Sequence, residues 1–351
     1  MTSARVGPVN APRRRRPSVG DVARVAGVSV GTVSNVLNKP ELVSPETRDR
    51  VELAIKELSF VRNGRARQLR QGSSTTVGAV LLDIRNPFFT DVARGIEDRL
   101  AVDDLTLMLA SSDDDPRRES KFLRLFEEHG VLGLLVVPTT HETEHLAAIQ
   151  ERGVAVVLLD APAGAAGLSS VWLDDVAGGS LAAAHLLEQG HERLVFLNGP
   201  HSIRQCQDRR AGVDRAVLAV GQDPERVVEE ITLPRLDAGA GEEAIAAWVA
   251  AHDGAAPTAV FCVNDLVAIG VQRALRRAGG FALLSGCAVV GYDDIEIAGE
   301  LAVPLTSVRQ PRHEMGREAA ELLLRQAAGE TEQHTVFEPE LVVRASSVPG
   351  G

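Results

Sequence analysis

The chain has 351 residues, of which 44% are hydrophobic and 24% charged, with a formal net charge of −11. That length leaves room for two or three domains with a large core, and the composition excludes a disordered chain. No apolar run approaches the roughly 20 residues of a membrane span, and the basic N-terminus lacks the apolar segment of a secretory signal, so a cytoplasmic protein with no membrane role is expected.

The charge is unevenly spread. Residues 1–76 hold 14 Arg and Lys against 6 Asp and Glu, a balance of +8 that leaves −19 on the rest. Without Arg13 to Arg16 the head still stands at +4. A basic head on an acidic body implies that the head alone meets a polyanion. The three cysteines, Cys206, Cys262 and Cys287, are far apart. They fit a reduced compartment and read as buried, inert thiols rather than a metal site or redox pair.

In chain order, residues 1–17 are rich in Pro, Ala and Arg without periodicity. They read as a disordered basic arm, either tracking phosphates or merely solvated. Ser18 with Asp21 predicts a capped helix start, and Gly27 its left-handed end. Ser29 caps a second helix from Val30. Val22, Ala23, Val28, Val33 and Leu37 are spaced to fill a shared core. A third helix follows, with Ser44 as cap, Pro45 at its first position and one apolar face of Val51, Ala54, Ile55 and Leu58. Residues 18–60 are thus an all-α three-helix unit containing a helix-turn-helix, whose second helix can enter a DNA major groove. Residues 61–75 are a short, basic, helix-compatible hinge and linker.

From Thr76 the pattern changes. Apolar strands (77–82, 105–109, 131–137, 154–159) alternate with amphipathic helices (88–100, 117–128, 142–152). The alternation restarts with helices over 180–189, 208–220, 240–251 and 266–278, and strands over 193–197, 227–231, 259–263 and 287–291. Two such series predict an α/β body of two doubly wound parallel-sheet subdomains with a cleft between them. Ligands of such sheets bind beyond the carboxyl ends of the strands, where Asn86-Pro87-Phe88-Phe89, Asn264-Asp265 and Tyr292-Asp293-Asp294 fall.

From Val19 to Arg344 the chain resembles the lac/gal repressor family of bacterial transcription regulators. The resemblance rests on Val22-Ala23 through Gly27-Val28-Ser29, Thr32-Val33-Ser34 and Val36-Leu37-Asn38 in the head. It extends through Asn63, Ala66, Arg67 and Leu69 in the hinge, and Asn86-Pro87-Phe88-Phe89, Gly291-Tyr292-Asp293-Asp294 and Arg309-Gln310-Pro311 in the body. It implies a periplasmic-binding-protein-like body over 76–347. The first subdomain is expected at 76–173 plus 303–328, the second at 174–302 plus 329–347. It also implies a homodimer, with a tetramer left open, on double-stranded operator DNA of the bacterial nucleoid, controlled by a small-molecule effector. No cofactor, metal or catalytic residue is implied.

The same resemblance assigns roles. Val30, Gly31 and Asn35 occupy base-reading positions, although Gly31 has no side chain to read with. Ser29, Thr32, Ser34, Asn38 and Arg48 are expected on phosphates. Asn63, Ala66, Arg67 and Leu69 belong to a hinge that enters the minor groove, Leu69 as the wedge. In the cleft, Asn86, Phe88, Phe89, Asn264 and Asp293 match effector positions. Gln207 stands where sugar-responsive members usually carry arginine, and Leu236 replaces a frequent aromatic. Arg204 and Gln205 could supply other contacts, including to an anionic group. Two rival classes remain: a solute-binding protein of periplasmic type without a DNA role, and an enzyme on a doubly wound fold. No phosphate-binding glycine loop, metal-ligand spacing or nucleophile elbow supports the enzyme.

Overall fold

The computed structural model describes residues 17–60, 74–164 and 167–348. The chain divides into two compact units, Met1–Gly72 and Ser73–Gly351. All of the expected arm except Pro17, and the hinge residues Asn63, Ala66, Arg67 and Leu69, lie outside the described residues.

In the head, α1 (Val19–Ala26) begins with a reciprocal capping box. Asp21 N donates to Ser18 Oγ (3.3 Å), and Ser18 N donates to the Asp21 carboxylate (2.9 Å). Gly27 ends the helix at φ +64°, a conformation that costs a side-chain-bearing residue about 1 kcal/mol or more. α2 (Val30–Asn38) starts where Thr32 N donates to Ser29 Oγ (3.0 Å). α3 (Pro45–Glu57) follows a short 3-10 turn. Ser44 sits at the cap position of α3 but does not cap its backbone, because its hydroxyl donates to Thr47 Oγ1 instead (2.9 Å). The head core is Val22, Ala23, Ala26, Val33, Val36, Val51 and Ala54, with Val28, Leu37, Ile55 and Leu58 at its edge.

The body runs β1 (Thr76–Leu81), α4 (Pro87–Ala101), β2 (Thr106–Ser111), α5 (Pro116–His129), β3 (Gly133–Val136), α6 (Glu144–Glu151), β4 (Ala155–Leu159) and β5 (Ser169–Leu173). It continues with α7 (Asp175–Glu188), β6 (Leu194–Asn198), α8 (Arg204–Ala219), the one-turn α9 (Pro224–Val227), β7 (Val228–Thr232), α10 (Ala238–Ala251), β8 (Ala259–Cys262), α11 (Asp265–Ser285) and β9 (Ala288–Asp293). The last elements are β10 (Thr306–Arg309), α12 (Arg312–Ala327), β11 (His334–Phe337) and β12 (Glu340–Val342). Helix α11 is broken at Gly279–Gly280, just past the expected end at 278.

Two six-stranded sheets result, ordered β11-β5-β4-β3-β1-β2 and β12-β10-β9-β8-β6-β7. Every neighbouring pair is parallel except β10–β12. The chain therefore passes between lobes after β5, after β10 and after β11. The expected boundaries at 303 and 329 are shifted. β10 pairs with β9 in the second sheet, so the return to the first lobe begins with α12, and β11 stays in the first sheet beside β5. Burial drives the first shift, and the parallel ladder with β5 drives the second. Leu305, Thr306, Ser307 and Val308 are fully buried, and the two hydroxyl residues among them hid the strand. β5 was not expected either. Its Ser169 and Ser170 look like loop, yet Ser170 Oγ meets His334 Nδ1 (2.9 Å) and Ser169 Oγ accepts from Gln333 N (3.2 Å).

The helix pairs of the body cross at glycines. A Cβ on Gly95 of α4 would lie 2.0 Å from the His313 carbonyl of α12, and one on Gly316 of α12 would lie 2.1 Å from the Val92 carbonyl of α4. The same reciprocity joins Gly179 with Gly212 in α7 and α8, and Gly241 with Gly270 in α10 and α11. Backbone stands in contact with backbone there, so a methyl group must push two helices apart. Gly316→Ala is expected to cost about 1–3 kcal/mol or more. Denaturant unfolding checks this, and an unchanged midpoint would refute it.

Candidate functional site

Helix α2 buries Val33 and Val36 and turns its other face outward. Ser29, Val30, Gly31, Asn35 and Asn38 are exposed, while Thr32, Ser34 and Arg48 are half-buried. Val30 is 55% exposed at the first turn, where its methyl groups face outward. The Asn35 amide makes no hydrogen bond among the described residues. Ser29 Oγ also meets Thr32 Oγ1 (2.9 Å), and Asn38 Nδ2 donates to the Ser34 carbonyl (2.7 Å). The first bond stiffens the helix start and the second its last turn, and both fix the polar side chains there.

In the body, groups beyond the carboxyl ends of the two sheets meet. Asn86 caps α4, its Oδ1 accepting from Phe88 N (3.0 Å), and its Nδ2 reaches the other lobe to donate to Asp293 Oδ2 (3.1 Å). Gln310 Nε2 donates to the second Asp293 oxygen (2.7 Å). From the second lobe, Gln205 Nε2 donates to Asp160 of the first, at Oδ2 (2.8 Å) and at the carbonyl (2.7 Å). Asp160, Asp293 and Asp294 all hold left-handed backbone, at φ +56°, +105° and +50°. Such strain costs about 1–3 kcal/mol each and gathers where a side chain must be aimed.

Other expected residues are placed less directly. Phe88 and Phe89 are buried in α4, edge to face with centroids 4.9 Å apart, and belong to the core. Asn264 caps α11 through Val267 N (2.9 Å) and donates to the Leu236 carbonyl (3.1 Å). Arg204 is exposed and paired with Asp208 (3.2 Å), and exposed Gln207 donates to the His201 carbonyl (2.5 Å). Two residues beyond Gln207, Arg209 is the arginine that turns inward. It donates to Asp175 Oδ1 (2.8 Å) and to the Val263 carbonyl (2.5 Å), and lies 3.6 Å from the centre of the Tyr292 ring.

Asp160, Asp175, Arg209 and Gln310 were missed from sequence. Asp160 carried a signal: Val157-Leu158-Leu159-Asp160 repeats the strand-then-acid pattern of Val80-Leu81-Leu82-Asp83. Arg209 carried another, since Gln205, Arg209, Gly212, Val213 and Ala216 lie on one helical face, which places the arginine on the inner side of α8.

The electrostatics follow from burial. Desolvation pushes the Asp160 carboxyl well above the usual range, with Asp175 adding to the push and Arg209 opposing it. Asp160 Oδ1 has no partner among the described residues. Desolvation also raises Asp293, against Arg209 and the Asn86 and Gln310 amides. Burial works against the Arg209 charge, but Asp175, Tyr292 and Asp293 outweigh it and raise its pKa. Beyond the end of β2, partial desolvation and the nearby Glu119 push Asp114 up to about 6. The three cysteines are buried and free, and burial raises Cys206 and Cys287 to about 12, so these thiols are inert.

Comparison with known proteins places these features. Residues 18–63 match the model of bacterial regulatory proteins of the lacI family, and residues 183–347 match a periplasmic binding protein-like domain. The HTH-type transcriptional repressor PurR of Vibrio parahaemolyticus is 33% identical over 334 residues, covering 93% of this chain and 97% of its own. The solved complex of the transcriptional regulator CelR with cellobiose is 30% identical, covers 95% of this chain and 100% of its own, and superposes with a TM-score of 0.68. The lac repressor dimer bound to operator and an anti-inducer, 24% identical over 95% of this chain and 100% of its own, shares the fold at a TM-score of 0.77. The chain belongs to the lacI family of bacterial regulatory proteins and is a DNA-binding transcriptional repressor, not an enzyme, whose body is an effector-binding domain.

Proposed function

We propose that the protein acts as a homodimer on a palindromic operator and that a neutral, hydroxyl-rich metabolite, a sugar or a close relative, controls it from the cleft. The observation that carries the DNA half is the outer face of α2. Asn35 offers an adenine a bidentate amide, and Val30 offers a thymine a methyl contact. Gly31 adds no side chain but lets the backbone approach. Ser29, Thr32, Ser34, Asn38 and Arg48 take the phosphates and set the register. Asn63, Ala66 and Arg67 lie along the minor groove, with Leu69 wedged between central base pairs.

The effector half rests on the chemistry of the cleft. The buried groups that meet there are the carboxylates of Asp160 and Asp293 and the amides of Asn86, Gln205 and Gln310. Carboxylates and amides suit a ligand rich in hydroxyl donors. An anionic ligand is disfavoured, because Arg204 is occupied by Asp208 and Arg209 by Asp175. The CelR–cellobiose complex, at 30% identity, supports the sugar class. A ligand that favours one angle between the lobes changes the operator affinity by its differential binding.

Three outcomes are expected. Asn35→Ala weakens binding to an operator selected from random DNA by about 1–3 kcal/mol and relaxes one base position. Fluorescence anisotropy on operator and on random duplex reads this, and equal losses on both would remove the readout role. In a thermal-shift panel, neutral saccharides (cellobiose and ribose included) raise the melting temperature while sugar phosphates do not; stabilisation by anions alone would overturn the ligand class. The third concerns pH. Asp160 has a raised folded pKa, so the folded state holds its proton over a range where the unfolded state has lost it. Stability from this group therefore falls as pH rises from its ordinary value of about 3.9 through the folded value. Asp160→Asn should raise the melting temperature at pH 7, and the gain should shrink toward pH 4. A gain independent of pH would mean that Asp160 is not buried as a carboxyl.

A further inference from the structure

Two contacts across the cleft share one chemistry and run in opposite directions. Asn86 of the first lobe gives its amide to Asp293 of the second, and Gln205 of the second gives its amide to Asp160 of the first. Both contacts are buried, and the Gln205 contact carries two hydrogen bonds against one. Gln205 is 9% exposed and Asp160 5%, and one Nε2 group serves both the carboxylate and the carbonyl of the same residue. Two donated bonds to an acid at the carboxyl end of a strand are what a ligand amine or a pair of neighbouring hydroxyls would offer. Asp160 Oδ1 stands buried and without a partner among the described residues, so the acid has acceptor capacity that Gln205 does not use.

We propose that Gln205 is a built-in substitute for the hydrogen-bond donor of an effector. Its bond to Asp160 latches the lobes together, and an effector must displace it. This inference rests on the cleft being the effector site. The free energy of the latch is subtracted from effector affinity, so the side chain at position 205 sets both the affinity and the resting ratio of open to closed protein. Asn86 repeats the arrangement from the other side, but it also caps α4, so changing it would disturb the helix as well as the latch.

The full-length protein carrying Lys121→Cys in the first lobe and Arg226→Cys in the second, both exposed positions, reports the lobe separation through spin labels by double electron–electron resonance. Without added ligand, Gln205→Ala should raise the ratio of open to closed protein about tenfold, as expected for losing two buried hydrogen bonds. Gln205→Met keeps the side-chain length without the donor and should behave alike, which covers the case in which Gln205→Ala fails to fold. Asp160→Asn, whose amide oxygen still accepts, should keep the native distance. Native distances in both Gln205 variants would overturn the latch. In the saccharide panel, the best neutral saccharide should shift the melting of Gln205→Ala more than that of the native protein. A shift no larger in the variant, while the native protein still responds, overturns the competition and leaves the effector reading intact. No shift in either removes the effector reading, and the competition with it.

Discussion

A single buried cation holds the second lobe to its own ligand-facing edge. Arg209 reaches from α8 to Asp175 at the start of α7, to the Val263 carbonyl after β8, and across the Tyr292 ring of β9. Four elements are fixed by one guanidinium. A charge so deep is tolerated only because every direction it faces offers an acceptor or a π surface; a partner removed would leave an uncompensated ion, which costs about 3–5 kcal/mol. The consequence for function is geometric. Tyr292 is the last residue before Asp293, so the clamp that anchors the ring also aims the carboxylate.

The turn at that carboxylate is shaped from the other side as well. Asp265 accepts from Ser307 Oγ (2.6 Å) and from Ile295 N (2.8 Å), and Ser307 Oγ accepts from Asp294 N (3.0 Å). Arg312, at the start of α12, donates to both the Asp293 and Asp294 carbonyls and to Asp91 of α4. This arginine sits where the chain passes from second lobe to first, so one side chain ties the strained turn to the crossover. A rotation of the lobes that altered the cleft would have to move these contacts too, which gives the body a physical route from ligand to lobe angle.

Much of the fold was legible because its signals are local. Capping residues, a glycine at a helix end, and apolar runs broken by amphipathic stretches act within a few residues, and the helices and strands they predict are found. What stayed hidden was polar and buried. β5 and β10 carry serines and a threonine that look like loop until partners from far along the chain satisfy them, His334 and Gln333 for β5 and Asp265 for Ser307. The site divides the same way. Asn86 and Asp293 stand at strand and helix ends that pattern alone marks. Asp160 and Arg209 needed the knowledge of which face of which element turns toward the cleft; the resemblance pointed to Gln207 for a position at which the inward arginine is Arg209, two residues on.

The amino-acid sequence by itself determined the helix-turn-helix, the two series of strands and helices, the charge contrast between head and body, and the family. Each is written in residue type and spacing, which need no distant partner. The tertiary structure alone decided where the chain changes lobe, which carboxyls are buried, and that amides of each lobe meet acids of the other. Those facts depend on desolvation and on hydrogen bonds between residues 45 and 207 positions apart, and no local pattern encodes such pairings.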